Sequence, residues 1–449
     1  MQYVCYNKKI IIKKNLVNMQ KIDAFIDSLK TNRKKVFLFF LIAFFFFSII
    51  SISRRIDSVT SPQFWAEDGA IWYANAYNMG PFSPFLVPVS GYFQTVSRVG
   101  AAISLLVPLQ YAPLVFNLIA ISIQVLPALF FLSRRFEHVV SSVTIRFAMG
   151  FAYLVLPSTF ETHINLSNAQ WRLSLLLFLI IIARRSDSRT WKIFDILFLL
   201  LAGLSGPFSI VALPIVLFYC GRLSNKQSLY KILIIAITGL IQFASVLIET
   251  AKHARGQVNL GASVLGFFKI LAGKIFIGGL LGSSVYGLIW KSSWWTLGYA
   301  AVIISIVGLL MIFYSFAKSN LEFKLFLAYS YGIFLLTLIF PMVSSTELSE
   351  WDSMLRPNGG NRYFFLPMLA WIVTIGWTYF IFQKSLYLKY LTTLLLCLFI
   401  FVGVPLGWKI KSFKDYHFSD QVKQFEKKQG GQTMDIRINP GWNMTLTKK

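Results

Sequence analysis

Residues 36–53 read VFLFFLIAFFFFSIISIS, a run without a single charge. As a helix rising ~1.5 Å per residue, such a run nearly covers the ~30 Å hydrocarbon core of a bilayer. Arg33, Lys34 and Lys35 precede it. Basic residues stay on the cytoplasmic side, so the first span is expected to run outward from a cytoplasmic N-terminus. No small-residue cleavage site follows the run. It reads as an uncleaved span and not as a removed signal peptide.

Comparable apolar runs recur to about residue 405. The chain has 449 residues, is 56% hydrophobic and has only 14% charged residues, with a mean hydropathy of +0.62. A soluble protein would carry roughly a quarter charged residues. The ten-residue alternating segments of a β-barrel are absent. The expected fold class is therefore an all-α membrane protein. The net charge of +25 does not point to nucleic acid. Its Lys and Arg residues sit between apolar runs, where they set topology and meet anionic lipid. Cys5, Cys220 and Cys397 are too few and too widely spaced for a disulfide framework or a metal site.

The alternation of apolar runs and basic loops gives about eleven transmembrane helices. Residues 1–35 form a basic cytoplasmic segment, 36–406 the membrane domain and 407–449 an external tail. A large first external loop spans 54–110 and is expected to carry juxtamembrane helices. Residues 250–293 read as a second external segment. The polar loops share the external face, which is where the chemistry is expected. No internal repeat is visible, which disfavours the pseudo-symmetric halves of many transporters.

The first external loop contains SPQFWAEDGAIWYANAYNMG, residues 61–80. A helix over 65–79 would put Asp68, Trp72 and Asn75 on one face and Glu67, Ile71 and Ala74 on the next. A carboxylate in a partly apolar, aromatic pocket can act as a general base. Sugar transfer to a hydroxyl needs one, because the acceptor must lose a proton as the anomeric carbon gathers positive charge. The second carboxylate could orient the first or help hold a divalent cation, Mg or Mn. The plainer alternative is that Glu67 and Asp68 simply begin a surface helix, where acids complement the macrodipole.

Four stretches resemble the GT-C superfamily of integral-membrane glycosyltransferases: RRIDSVTSPQFWAEDGAIWYANAYNMGPF after the first span, ETHINLSNAQWRL, the LSGPF turn and RPNGGNRYFFLP. The resemblance implies a GT-C-like fold, a polyprenyl-phosphate-linked sugar donor and acidic catalytic residues in the first external loop. On that pattern Glu67 and Asp68 are the catalytic candidates, with Asp57 a poorer one. Many members carry two aspartates there, so which of the two acids is the base stays open.

Other polar stretches supply candidate substrate contacts. Glu161, His163, Asn165, Asn168, Gln170 and Trp171 offer amides and carboxylates for sugar hydroxyls and an aromatic face for a ring. Trp65 and Trp72 flank the acids in the same way. An ordinary solvated loop is the alternative. His163 has no second histidine at ligand spacing, which argues against a metal role. Arg356 and Arg362 could grip a lipid phosphate bidentately, supported by Asn361 and Tyr363, or could merely anchor a span. Arg98 and Lys252 are weaker alternatives. The tail, with its INPGW turn, reads as a small cap.

The leading expectation is thus a glycosyltransferase of the bacterial inner membrane. It would move sugar from a polyprenyl-phosphate donor to a glycan or lipid-linked glycan acceptor, with membrane lipids and no nucleic acid as partners. A polysaccharide polymerase or ligase, and a lipid-linked glycan flippase, are the alternatives.

Overall fold

A computed structural model describes residues 32–222, 228–251, 259–343, 348–381 and 385–449. Lys252 and most of the basic N-terminal segment lie outside them. Among the described residues, eight helices are long and apolar enough to cross a membrane: Lys34–Arg54, Leu109–Phe131, Leu229–Ala251, Val264–Leu281, Tyr299–Lys318, Leu321–Ile339, Asn361–Phe380 and Leu386–Trp408. Three shorter apolar helices, Val143–Val155, Ala169–Ile182 and Phe208–Arg222, join them. Phe37, Ile49, Leu240, Phe313 and Phe401 stand exposed on helix flanks. In water they would form an aggregating surface; in a bilayer they meet acyl chains. The chain is a multi-pass helical membrane protein.

The helix Ala169–Ile182 is buried along its whole length, as expected of a helix apolar on every side. Its 14 residues cover only about 21 Å, well short of a ~30 Å hydrocarbon core. A helix this short spans a bilayer only through an inset, protein-enclosed end, and the polar loop that feeds it, residues 157–168, is enclosed by protein. Irregular backbone is tolerated at that depth only when protein or a water-filled cavity surrounds it. The loop is accordingly buried at Thr159, Thr162, His163, Asn165, Ser167 and Asn168. The alternative of an ordinary solvated loop therefore does not hold.

At the other end of the same helix, Arg135 grips Asp195 through both guanidinium nitrogens, at 2.7 and 2.8 Å. Tyr230 donates to Asp195 at 2.9 Å, and Lys231 donates to the Ile180 carbonyl at 2.7 Å. This clamp ties together the helices Arg189–Gly203 and Leu229–Ala251 and the end of the central helix.

Two sequence readings need correction. Residues 250–293 are not simply an external segment, because they contain the helix Val264–Leu281. Gly266, Gly273, Gly278 and Gly279 together with Lys269 and Lys274 broke up its apolar run. The glycines are packing contacts: a Cβ at Gly273 would lie 2.3 Å from the Tyr286 ring and one at Gly279 3.1 Å from Met368. Nor is 65–79 one regular helix. It opens as a π-helix, Asp68–Tyr73, and becomes α-helical over Ala74–Met79.

The tail adds a small β element to the helical fold. The helix Phe418–Glu426 packs on an antiparallel hairpin, Thr433–Ile438 with Trp442–Thr447. Alternate strand residues Ile436, Ile438, Met444 and Leu446 point inward, the period of two that a one-sided sheet imposes. Asn78 fixes the hairpin to the acidic loop. Its amide donates to the Thr445 carbonyl and accepts from the Thr447 N–H, both at 3.0 Å.

Candidate functional site

The acidic pair sits on a strained turn. Ala66 has φ of 41°, a region that costs a residue with a Cβ on the order of 1–3 kcal/mol. The tail holds it there. The Ala66 N–H donates to the Asn439 carbonyl at 2.5 Å, and the Trp65 ring stacks on Phe413 at 5.0 Å. Gly69 must be glycine in this packing, since a Cβ would lie 2.7 Å from the Ile438 side chain. Asn439 donates to Gln63 Oε1 at 3.0 Å and to the Lys414 carbonyl at 2.9 Å, and accepts from the Lys414 N–H at 3.0 Å. Asn439→Ala removes these bonds from a buried site, at a cost of roughly 2–3 kcal/mol. A clear fall in Tm is expected; an unchanged Tm would mean that the tail does not hold the turn.

The wide π turn brings Asp68 and Trp72 to the same target, Ser167. Asp68 Oδ1 accepts from the Ser167 N–H at 2.8 Å and from its hydroxyl at 2.7 Å, and Oδ2 accepts from the Leu166 N–H at 3.1 Å. Trp72 Nε1 donates to Ser167 Oγ at 3.0 Å, and the Arg98 guanidinium lies over the Trp72 ring at 4.7 Å. Asp68 is only 2% exposed. It is a brace between the acidic loop and the 157–168 loop. Glu67 differs: it is part-exposed, and no hydrogen bond or ion pair among the described residues occupies its carboxylate. The two acids therefore do not present their oxygens together. With Asp68 committed to N–H and O–H donors, the pair does not fit a shared divalent cation, which needs free oxygen ligands.

Burial pushes the Asp68 carboxyl up from its ordinary 3.8 to about 7, against the pull of Ser167 and Leu166 and helped by the Glu67 charge. Between about pH 4 and 7 the unfolded chain gives up this proton while the folded chain keeps it. Unfolding then releases a proton, so stability is greatest below that window and falls as the pH rises through it. The full difference is on the order of 4 kcal/mol. Asp68→Asn cannot titrate and should give a flatter Tm-versus-pH profile from 4 to 7 than the wild type. Parallel profiles would contradict the assignment.

Glu161 and Arg362 anchor a second group. Arg362 pairs with Glu161 through its side chain, and its N–H donates to Glu161 Oε2 at 2.9 Å. Arg362 Nη2 also donates to the Met342 carbonyl at 2.6 Å. Tyr363 donates to the same carbonyl at 3.0 Å, and Trp171 meets the Tyr363 ring edge-on at 5.5 Å. Tyr92 completes the group. Its phenol is pushed up chiefly by burial and further by Tyr363 and Glu67, while Gln170 and Arg362 oppose the shift. Tyr92 was missed in the sequence because PVSGYF reads as a plain loop. The LSGPF turn puts it in place: the Gly206 N–H donates to the Phe93 carbonyl at 2.9 Å and Thr95 N–H to the Leu204 carbonyl at 3.0 Å.

Lys274 was also missed, hidden inside an apolar run. It is buried and donates to the Pro357 carbonyl at 3.1 Å, the Gly359 carbonyl at 2.8 Å and Asn361 Oδ1 at 3.0 Å. It thereby sets the loop that presents Arg362. Gly360 takes φ of +57° in that loop, where a residue with a Cβ would be strained. Arg356 is exposed and makes no ion pair among the described residues.

The remaining sequence candidates shape the loop. Asn165 and Asn168 both donate to the Glu161 carbonyl, at 2.8 and 3.0 Å, and Asn165 Oδ1 accepts from the Asn168 N–H at 2.9 Å. His163 is fully buried, with Nε2 3.0 Å from the Ser51 carbonyl and Nδ1 3.2 Å from the Gln124 amide. Burial and the nearby Arg54, Arg55 and Arg172 charges hold it well below its ordinary pKa. It is a structural, neutral imidazole. Ser167 thus joins Asp68 to Trp72, Glu161 and Arg362 adjoin Tyr363 and Trp171, Glu67 acts through space on Tyr92, and His163 lies in the core.

The chain matches no family model, no curated protein and no solved structure.

Proposed function

We propose that the protein is a membrane glycosyltransferase that moves a sugar from a polyprenyl-phosphate donor to a glycan or lipid-linked glycan on the external face of a bacterial inner membrane. One observation carries the reading: Glu67 is a part-exposed carboxylate that makes no hydrogen bond or ion pair among the described residues, held on a strained turn within electrostatic reach of Tyr92. Strain and unsatisfied polar groups concentrate where chemistry is done. A GT-C-like arrangement, with its acids in the first external loop, agrees with that placement.

In the proposed reaction Glu67 takes the proton from an acceptor hydroxyl. The hydroxyl oxygen bonds to the anomeric carbon as the bond from that carbon to the phosphate oxygen breaks. Polyprenyl phosphate leaves with the bonding electrons, and one displacement inverts the anomeric centre. Asp68 acts by positioning: it fixes Glu67 against residues 166–167. Arg356, which makes no ion pair among the described residues, takes the donor-phosphate role, because the Arg362 charge is already balanced by Glu161.

A flippase would need charged groups lining a path through the spans. The buried Arg135–Asp195 pair is instead a closed clamp at one end of the bundle. Purified protein in vesicles with a lipid-linked glycan distinguishes the two. New glycosidic bonds are expected. Movement of the lipid-linked glycan across the vesicle with no new bond would replace the glycosyltransferase reading with a transporter.

A further inference from the structure

A cavity of about 550 Å³ opens beside the acidic turn, on the far side of Asn165. That volume lies within the ~300–1,000 Å³ of small-molecule sites. Arg54, Arg55, Lys409, Lys411 and Lys414 all line it, and among the described residues no Asp or Glu does. Arg54 and Arg55 are 1% and 2% exposed, so both charges are withdrawn from water. Their partners there are almost all neutral carbonyls. Arg54 donates to the carbonyls of Leu154 at 2.6 Å, Leu156 at 3.1 Å, Gly407 at 2.9 Å and Trp408 at 3.3 Å, with the Thr159 hydroxyl at 3.4 Å. Arg55 donates to the carbonyls of His163 at 3.3 Å and Ile164 at 2.8 Å, and its Nε has no partner. Asp57 and Asp68 act on Arg55 only through space. Lys409, Lys411 and Lys414 are exposed and form no ion pair among the described residues.

Buried guanidinium groups are retained where a counter-charge compensates their desolvation. Here the protein supplies too little of it, so the cavity is built for an anion. Its other walls indicate what carries that anion. Ser283, Ser284 and Asn358 offer hydroxyl and amide groups, and Trp65, stacked on Phe413, offers an aromatic face. Residues 409–414 and Tyr416, with Asn439 and Pro440 of the folded tail, also line it, beyond the end of the last long apolar helix. We propose that this cavity binds a negatively charged saccharide, through carboxylate or phosphate groups on its sugars. The amide and hydroxyls take sugar hydroxyls, the aromatic face takes a ring, and the five cations take the charge. Naming this saccharide as the acceptor of the transfer rests on the glycosyltransferase reading; the binding itself does not.

The test uses the full chain in nanodiscs of zwitterionic lipid, with a short oligogalacturonate and its neutral methyl ester as probes. No donor is present, so binding is read whether or not transfer occurs. The acidic probe is expected to bind at least ~tenfold tighter than the ester, and more weakly as salt rises. K409Q/K411Q/K414Q alters only exposed side chains and should lose that preference while keeping the wild-type Tm. Equal affinity for the two probes, or no binding of the acidic one, overturns the proposal. So does loss of acidic-probe binding when phosphatidylglycerol is added to the discs, since that outcome assigns the cavity to a lipid headgroup.

Discussion

Glu67→Gln is expected to lower kcat for sugar transfer by roughly 10²–10⁴, the usual contribution of a positioned general base. The change keeps shape and removes only charge and basicity. Glu67 makes no hydrogen bond or ion pair among the described residues, so no such bond there is lost with its charge. The Tm should therefore stay close to that of the wild type, as for surface substitutions away from structural features. Asp68→Asn provides the contrast. Its amide turns a donor toward the Leu166 or Ser167 N–H, leaving one of them unsatisfied in a buried site, which costs about 1–3 kcal/mol. A variant pair in which Glu67 governs rate and Asp68 governs stability would separate base from brace. Equal stability losses in both would return Glu67 to the role of a helix-start residue.

Lys274→Met should have the largest effect on stability. The ammonium group satisfies two carbonyls and the Asn361 side chain in a buried setting. The thioether satisfies none of them. Three orphaned acceptors at about 1–3 kcal/mol each imply a loss on the order of 3–9 kcal/mol, large against the marginal stability of folded proteins. Residues 357–361 would move and carry Arg362 away from Glu161, so transfer should fall with stability. Lys274→Arg keeps the charge and some of the bonds and should recover part of both. A Lys274→Met protein with wild-type Tm would show that the loop is held by other contacts.

Long uncharged runs such as residues 36–53 made the multi-pass helical fold legible, because the bilayer tolerates little else. Pairs of cations such as Arg134–Arg135 and Arg184–Arg185 marked the loops between them. The run at Val264–Leu281 was harder to see. Its glycines and lysines serve tertiary contacts that no hydropathy pattern encodes, and Lys274 finds its acceptors more than 80 residues along the chain. The tail's INPGW turn was readable as a turn, and the structure makes it the tip of a hairpin docked on Trp65 and Ala66.

The candidate site divides in the same way. The position of Glu67 and Asp68 after the first span was visible, and so was the polar character of residues 157–170. Whether those polar groups faced water was not, since that depends on how short the helix Ala169–Ile182 is relative to a bilayer. Which acid is braced and which is free depends on the Ala66 turn and on a π-helix, both imposed by contacts with a tail more than 350 residues away. Local sequence could not carry that information.

The most direct test is transfer by the purified protein, in lipid, from a panel of labelled polyprenyl-phosphate sugars to glycan acceptors, with nucleotide sugars as controls. The expected result is release of polyprenyl phosphate coupled to a glycosylated acceptor of inverted anomeric configuration, by the wild type and not by Glu67→Gln. Transfer that proceeds equally in both proteins, or only from nucleotide sugars, would contradict a lipid-linked donor acting at a Glu67-centred site.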